Sequence, residues 1–283
     1  MRILVSAGHA TFTVLGAGGF IGSTLAALLR SQDQAVHAVT RASLPGLLAD
    51  RRPTGHVIDC IGLTGDFRTR PLDAAEAHVG LVARCLADLR FDSFLLLSST
   101  RVYARARTTR EDAVLAVMPA DPSDLYNLTK LAGEALCLAD TRATRVARLS
   151  NAYGGGMPAQ TFLGQVLQEG HATGRVTFRQ GANSAKDYVS LGAAIRLLPQ
   201  IATRGRERIY NVAAGANTGH AAIARRLHDA AGWQCGFAPD APTLVHPPID
   251  TSRLRAEFGP ADSDLLADLP ALLTAAEDRH ADH

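Results

Sequence analysis

The sequence predicts an α/β fold, in which a doubly wound parallel sheet carries a small, mostly C-terminal lobe. Three observations support this fold class. Short apolar runs alternate with helical patterns as far as about residue 150, a glycine-rich turn follows the first clear run, and the alternation stops at a loop-like segment from residue 151. Strands separated by helices of this length are typical of βαβ units, whose parallel strands are covered by helices on both faces.

The elements follow one another in a regular order. Predicted strands cover residues 11–16, 35–41, 56–62, 91–99 and 144–150, and predicted helices cover residues 22–32, 72–89 and 123–140. A later strand, 208–215, is expected to return to the main sheet. The segment Ala42–Gly55 is short for a helix, a third strand and a loop, so the third strand is predicted to be reduced or absent. The first ten residues form either an extra strand or an extension.

Composition narrows the class of protein. Hydrophobic residues make up 47% and charged residues 20% of the chain, and the formal net charge is +2, which indicates a folded core and no nucleic-acid partner. No apolar run approaches the roughly 20 residues that span a membrane. The cysteines are widely spaced, which predicts neither a metal site nor a disulfide framework and suits a cytoplasmic location. They are Cys60, Cys85, Cys137 and Cys235.

The glycine-rich turn, "LGAGGFIG", joins a predicted strand to a predicted helix. Glycines at Gly16, Gly19 and Gly22 would permit a tight turn and let the backbone approach a pyrophosphate at the helix N-terminus. Phe20 and Ile21 complete the segment expected to touch the cofactor. Together with the regular alternation of elements, the motif predicts a Rossmann-like dinucleotide-binding domain over residues 11–150. The change of pattern after residue 150 predicts that residues 151–283 form mostly a substrate-binding lobe.

The residues that end the second strand bear on cofactor preference. An acid at this place would bind the free 2′-hydroxyl of the adenine ribose, whereas an arginine suits a 2′-phosphate. The sequence has Thr40 and Arg41 there. Arg41 therefore favours NADP(H), and NAD(H) stays possible because a strand-end arginine is often simply solvated.

The segment "YNLTK" places Tyr126 and Lys130 on one face of a predicted helix. A lysine charge beside a tyrosine is expected to lower the phenol pKa and so allow proton transfer near neutral pH. Lysine is scarce, since Lys130 and Lys186 are the only lysines among 29 basic residues, so chance spacing is improbable. Hydroxyls at the end of the strand 91–99, including Ser99 and Thr100, could hold a substrate oxygen.

An arginine-rich segment, "RVYARARTTRED", follows that strand. It contains Arg101, Arg105, Arg107 and Arg110. A solvated loop is the favoured interpretation, and a loop that faces phosphate is the alternative.

Taken in order, the motifs "GAGGFIG", "LLLSSTRVY", "YNLTK", "RLSNAYG" and "KDYV" resemble those of an extended short-chain dehydrogenase/reductase of the nucleotide-sugar epimerase/dehydratase kind. The resemblance covers about residues 11–260. It implies that Ser99 is catalytic, that Tyr126 and Lys130 form the acid/base pair and also contact the cofactor, and that members dimerise through two helices. Asn151 and Lys186 would contact substrate, with Lys186 near its diphosphate.

Three positions depart from the family pattern. Sugar 4,6-dehydratases carry an Asp-Glu pair where this chain has Thr100 and Arg101, so dehydration lacks its extra acid and base. His78 stands where the family often has an asparagine, and we expect it to pack or to bond the backbone.

The resemblance therefore implies an enzyme that transfers hydride to or from a carbinol or ketone carbon. The favoured function is a ketoreductase that acts on a nucleotide-linked sugar. One alternative is a nucleotide-sugar epimerase with tightly bound NAD. A non-catalytic NADP(H)-binding sensor or scaffold is the alternative from another class, and the retention of Ser99, Tyr126 and Lys130 argues against it. A homodimer in the cytoplasm is expected.

Overall fold

The computed structural model describes residues 10–63 and 67–281, with side chains as far as residue 274. By its contacts, the chain divides into two compact units. The first unit contains the described residues up to Leu97 together with Thr129–Val146 and Leu198–Arg208. The second unit contains Ser98–Leu128, Ala147–Leu197 and the described residues from Ile209 onward. The predicted division into residues 11–150 and 151–283 stays a prediction.

A six-stranded parallel sheet with flanking helices forms the core of the fold, in the order β2-β1-β3-β4-β5-β9. Its strands are β1 (Thr11–Leu15), β2 (Ala35–Val39), β3 (Pro53–Asp59), β4 (Arg90–Ser99), β5 (Thr144–Leu149) and β9 (Ile209–Val212). β1 lies between β2 and β3 and pairs with both in parallel register. The predicted α/β, Rossmann-like fold class is confirmed, and so is the strand near 208–215 that returns to the sheet.

The helices of the sheet region mostly follow the predicted pattern. They are α1 (Phe20–Ser31), α2 (Leu44–Asp50), α3 (Pro71–Ala75), α4 (Leu81–Asp88), α5 (Asp124–Ala139) and α7 (Leu191–Arg204). The predicted helix 72–89 is interrupted by a π-helical turn, Glu76–Gly80, which separates α3 from α4. Such a turn inserts one extra residue per turn and is common near functional sites.

The prediction that the third strand is reduced or absent is confirmed for the described residues. Only the short helix α2 lies between β2 and β3, and β3 pairs with the opposite side of β1. Among the described residues no strand pairs with the outer side of β2. Within the described residues β2 is therefore an edge strand, and no further strand lies between β2 and β3, because Ala42–Gly55 is long enough only for α2 and the start of β3.

The second unit holds a separate apolar core. Its remaining elements are β6 (Asn151–Tyr153), α6 (Phe162–Thr173), β7 (Arg175–Phe178), β8 (Ala185–Ser190), β10 (Asn217–Gly219), α8 (His220–Ala231), β11 (Gln234–Phe237), α9 (Ser252–Phe258) and α10 (Leu265–Ala281). Small sheets, β10-β8-β6 and β11-β7, pack with α6, α8 and α10 around residues such as Leu167, Phe178 and Leu269. This core positions β8, which carries Lys186.

Four further expectations concern the first ten residues, membrane-spanning helices, metal sites and the dimer. The alternatives for the first ten residues lie outside the described residues, apart from Ala10. No helix in the described ranges combines the length and apolarity needed to cross a membrane. Within the same ranges, no group of three or more His, Cys, Asp or Glu side chains could hold a metal ion. Leu138 is exposed on α5, as a dimer through that helix requires, and the homodimer stays a prediction.

Candidate active site

The glycine turn lies in the first unit, between β1 and α1. Gly16 has a φ of +75°, which side-chain-bearing residues rarely adopt, and its carbonyl accepts a 2.9 Å hydrogen bond from the Gly19 amide. A Cβ on Gly22 would lie 2.3 Å from the Gly16 oxygen, so only glycine allows this close approach. The turn is therefore closed by its glycines and exposes the N-terminus of α1 at Phe20. A dinucleotide pyrophosphate fits this arrangement.

The end of β2 carries the residue on which the NADP(H) expectation depends. Arg41 is exposed, and it follows Thr40 in a turn held by a 3.0 Å hydrogen bond from the Thr40 amide to Ser43 Oγ. In the part of the chain that the structure describes, no strand lies beyond β2 at this turn. The guanidinium is thus accessible to an anionic group such as a 2′-phosphate.

Lys130 is buried in the first unit on α5, and its Nζ donates a 2.9 Å hydrogen bond to the Leu97 carbonyl of β4. Burial lowers the pKa of Lys130 to about 8, whereas nearby acidic groups, with Asp59 before Glu134, oppose that shift. Asp59 is the first of these opposing groups. The buried ammonium therefore owes much of its charge at neutral pH to an acid that lies on a different element.

Asp59 ends β3, opposite Leu96 in the parallel register with β4. Its Oδ1 accepts a 2.9 Å hydrogen bond from the Ile61 amide, and its buried Oδ2 has no hydrogen-bond partner within the described part of the chain. Burial raises the pKa of Asp59 to about 6, against the Ile61 hydrogen bond and the Lys130 charge. Sequence reasoning missed Asp59. The signal was an acid within the apolar run "HVIDCIG".

His78 occupies the π-helical turn and is buried. Its Nε2 accepts a 3.1 Å hydrogen bond from the Leu63 amide, so the ring proton lies on Nδ1, which is 2.9 Å from Thr129 Oγ1. Burial and the Lys130 charge lower the pKa of His78 to about 3, and the imidazole is neutral. The expected backbone-bonding role is confirmed. His78 therefore contacts α5 at Thr129, the residue next to Lys130.

Ser99 and Tyr126 meet in the second unit. The Tyr126 side chain is buried and forms a hydrogen bond with the Ser99 side chain. Ser99 also caps the short 3-10 turn Thr100–Tyr103, because its Oγ accepts a hydrogen bond from the Arg101 amide. The strand-end hydroxyl is thus placed beside the phenol, where both could contact one substrate oxygen.

The pKa prediction for Tyr126 is wrong in this structure. Burial raises the pKa of the phenol, and the groups that pull it back are the Ser99 hydrogen bond and then the Arg101 charge. Lys130 is the charge nearest to Tyr126 along the helix, but an apolar surrounding penalises the phenolate, and this cost raises the pKa of the phenol.

The arginine-rich segment does not behave as one solvated loop. Arg105 forms ion pairs with Asp121 and Asp124, and Arg107 is exposed. Arg101 is different, because it is half-buried and its Cζ lies 5.6 Å from the centre of the Tyr126 ring. The solvated interpretation is therefore wrong for Arg101. The available signal was its position two residues after Ser99.

The other predicted substrate residues also lie in the second unit. Asn151 is exposed on β6, and its amide donates a 2.8 Å hydrogen bond to the Asp187 carbonyl. Thr100 begins the 3-10 turn and is half-buried. Lys186 on β8 lies with its Nζ 5.0 Å from the centre of the Phe162 ring. Substrate contact by these three residues stays a prediction.

Lys186 belongs to a group that sequence reasoning did not assemble. We call Arg101, Lys186, His220 and His246 the basic cluster. Burial and the Arg101 charge lower the pKa of Lys186, and burial followed by the charges of Lys186 and Arg101 lowers that of His246. The ring of His220 stacks on Phe162 at 4.4 Å. Burial and the Lys186 charge lower the pKa of His220 to about 4.

Comparisons with known proteins agree with this geometry. The model of the NAD dependent epimerase/dehydratase family matches residues 12–213. MoeE5 in complex with UDP-glucose and NAD is similar with a TM-score of 0.81 and 20% identity, over 95% of this chain and 99% of that chain. No curated protein matches the chain.

Further solved structures share the fold. UDP-glucuronic acid 4-epimerase from Bacillus cereus, in complex with UDP-glucuronic acid and NAD, has a TM-score of 0.78 and 18% identity over 95% of this chain and 99% of that one. RMD from Pseudomonas aeruginosa, complexed with NADPH, has a TM-score of 0.79 and 20% identity over 95% of this chain and 100% of that one.

Proposed function

The chain belongs to the NAD dependent epimerase/dehydratase family, whose members are enzymes of the short-chain dehydrogenase/reductase type, and from that membership we propose that it is a ketoreductase acting on a nucleotide-linked sugar. The observation that carries this proposal is the hydrogen bond between Ser99 and the buried Tyr126. It brings the hydroxyl of Ser99, at the end of β4, to that of Tyr126, on the helix that also carries Lys130. The ligands named for similar structures, UDP-glucose and UDP-glucuronic acid, support the substrate class.

In this proposal each residue has a distinct task. Ser99 hydrogen-bonds the carbonyl oxygen of the substrate and orients it toward Tyr126, whose hydroxyl donates the proton that turns this oxygen into an alcohol. The Arg101 charge assists the phenol by stabilising the anion that remains after donation. Lys130 supplies a buried positive charge one helical turn away and binds a cofactor ribose. The nicotinamide, when bound, supplies the hydride.

We further propose a preference for NADP(H), on the strength of the accessible Arg41 at the end of β2. A guanidinium can form paired hydrogen bonds with a 2′-phosphate, and no acid stands at the strand end to bind a 2′-hydroxyl. The NADPH complex of RMD shows that a similar fold can hold this cofactor. NAD(H), present in the other similar structures, is the alternative.

An epimerase is the second candidate, because the family includes epimerases and the similar structure from Bacillus cereus is one. It would use the same hydroxyls to remove and return a proton, with no net change in the cofactor. Incubation with NADPH and 4-keto nucleotide sugars distinguishes the two functions, since a reductase consumes NADPH in proportion to product. An interconversion of two sugars at constant absorbance would favour the epimerase.

Replacement of Tyr126 by phenylalanine tests the shared chemistry. Tyr126→Phe removes the proton donor while keeping the buried ring, so we expect turnover to fall by about 10²–10⁴-fold with cofactor affinity nearly unchanged. Calorimetric titration with NADPH and NADH measures that affinity. Tyr103→Phe is the matched control, because Tyr103 is buried in the same unit and hydrogen-bonds Asn211.

Unchanged turnover in Tyr126→Phe would contradict the acid/base assignment. Cofactor binding by the wild-type protein without turnover of any nucleotide-linked ketone would instead support the non-catalytic sensor or scaffold.

A further inference from the structure

Arg101 is held beside Tyr126 by contacts at both ends of the residue. Its backbone amide donates a 3.2 Å hydrogen bond to Ser99 Oγ, and its Nη2 donates a 3.2 Å hydrogen bond to the Ser123 carbonyl. The guanidinium carbon lies 5.6 Å from the centre of the Tyr126 ring. Arg101 is therefore fixed next to the two hydroxyls that would hold the reacting oxygen, with part of its side chain accessible.

The charge of Arg101 acts on other basic groups of the second unit. It lowers the pKa of both Lys186 and His246, which means that the cationic forms of these groups repel it. Like charges held close together in partly buried positions cost free energy, and an anion placed among them offsets that cost. The charges of Arg101 and Lys186 in the basic cluster thus favour an anionic ligand.

A nucleotide-linked sugar carries an anionic group in its diphosphate, and the family resemblance places the diphosphate at Lys186. Arg101 lies beside Ser99 and Tyr126, which hold the reacting oxygen in the proposed function. A ligand anion that binds Arg101 would therefore belong to the sugar. In a hexuronic acid the carboxylate is attached to the carbon next to C4, so it lies close to a reacting oxygen on C4.

We propose that Arg101 is a specificity-determining residue that binds a carboxylate on the sugar ring, and that the substrates are nucleotide-linked sugar acids. A guanidinium fits a carboxylate with two parallel hydrogen bonds, which a neutral hydroxymethyl group cannot match. The inference rests on the proposed function, because it assigns the sugar to the site around Tyr126. It also gives a reason for a cation at a position where dehydratases place an acid.

The test compares acidic and neutral sugars on the protein loaded with cofactor. The probes are UDP-glucuronic acid against UDP-glucose, and GDP-mannuronic acid against GDP-mannose, with Kd measured by calorimetry. For at least one pair, we expect wild-type protein to bind the acid at least about tenfold more tightly than the neutral sugar. Arg101→Gln should weaken binding of the acid by about 10–100-fold, since a charge-assisted hydrogen bond contributes roughly 1.5–3 kcal/mol.

Controls separate this role from a structural one. Arg107→Gln removes an exposed arginine of the same segment and should leave the preference for the acid unchanged. Arg101→Lys keeps the charge without the fork and should restore part of the preference. Thermal melting and NADPH affinity of each variant report whether the fold and the cofactor site survive.

Different failures have different meanings. If wild-type protein prefers the acid in neither pair, or if Arg101→Gln weakens the acid and the neutral sugar equally in the pair where a preference is seen, the carboxylate role is wrong while the proposed function stands. If none of the four probes binds to the cofactor-loaded protein, the nucleotide-sugar function and the inference are both wrong.

Discussion

The two units of the molecule differ in what surrounds their buried basic groups: an opposite charge in the first unit and like charges in the second. In the first unit, the Lys130 ammonium and the Asp59 carboxylate are both buried, and each favours the charged form of the other. In the second unit, Lys186 is pushed toward its neutral form by burial and by the like charge of Arg101. His220 is held neutral by burial and by Lys186.

This difference indicates what each unit contributes to catalysis. A buried pair of opposite charges is balanced by the protein itself, so the protonation of Lys130 is set before a ligand arrives. A cluster of basic groups that oppose one another's charge becomes more favourable when an anion binds among them. Under the proposed function, the first unit would supply a fixed positive charge to the chemistry, whereas the basic groups of the second would select an anionic substrate.

The largest expected effect is a loss of cofactor affinity when the glycine turn of the first unit is changed. Gly22→Ala places a methyl group 2.3 Å from the Gly16 carbonyl oxygen, so the turn must open or the helix must shift. Overpacking of this kind costs about 1–3 kcal/mol. We expect NADPH and NADH to bind at least about tenfold more weakly, as measured by calorimetry.

Gly18→Ala is the matched control, because a Cβ there meets nothing within 4 Å. Equal cofactor affinity in Gly22→Ala and Gly18→Ala would show that the close approach at Gly22 does not hold the binding turn.

A smaller effect is expected from breaking the opposite-charge pair. Asp59→Asn removes the leading group that raises the pKa of Lys130, and that pKa should then fall further below about 8. In a plot of kcat against pH, the fall on the alkaline side should move to lower pH by ~1 unit. The reason is that the Lys130 ammonium would lose its proton at a lower pH. Glu134 and Cys60 also face Lys130 and stay in place. Asp73→Asn, at an exposed acid, should leave the limb unmoved.

The same variant makes a second, independent change. The pKa of Asp59 is raised from 3.8 to about 6 in the folded state, so the folded protein holds this proton more tightly than the unfolded chain. The Asp59 contribution to the free energy of unfolding therefore falls as pH rises from about 4 to about 6. Urea unfolding across this range should show that fall in wild-type protein and a smaller one in Asp59→Asn. Identical slopes would contradict a raised pKa at Asp59.

The smallest effect concerns the second unit. His220 has a pKa lowered from 6.5 to about 4, so the unfolded chain takes up a proton that the folded state resists. Stability from this group is present above pH 6.5 and is lost as pH falls toward 4. His220→Phe keeps a ring against Phe162 and removes the titration. We expect its loss of stability between pH 7 and pH 4.5 to be about 1–2 kcal/mol smaller than that of wild-type protein.

Using the change between two pH values cancels any constant packing difference between histidine and phenylalanine. His228→Gln, at an exposed histidine, is the control and should follow the wild-type pH dependence. If His220→Phe lost as much stability between pH 7 and pH 4.5 as wild-type protein, His220 would not be the group that causes this pH dependence.

Local patterns predicted much of the fold. The alternation of apolar runs and helices predicted the parallel sheet, and the short segment Ala42–Gly55 predicted the missing third strand. Both predictions succeed because strand and helix signals depend on neighbouring residues and on chain length. The π-helical turn at Glu76–Gly80 was not predicted, since it depends on packing of His78 against α5 and not on the pattern of the helix.

The sequence by itself determined the fold class, the glycine turn and the spacing of Tyr126 and Lys130, because these are properties of neighbours along the chain. Only the tertiary structure decided which charges surround them. Asp59 lies 71 positions before Lys130 in the sequence, and Lys186 lies 85 positions after Arg101, yet Asp59 raises the pKa of Lys130 and Arg101 lowers that of Lys186. Burial and electrostatic interaction depend on distance in space, which a linear pattern does not encode.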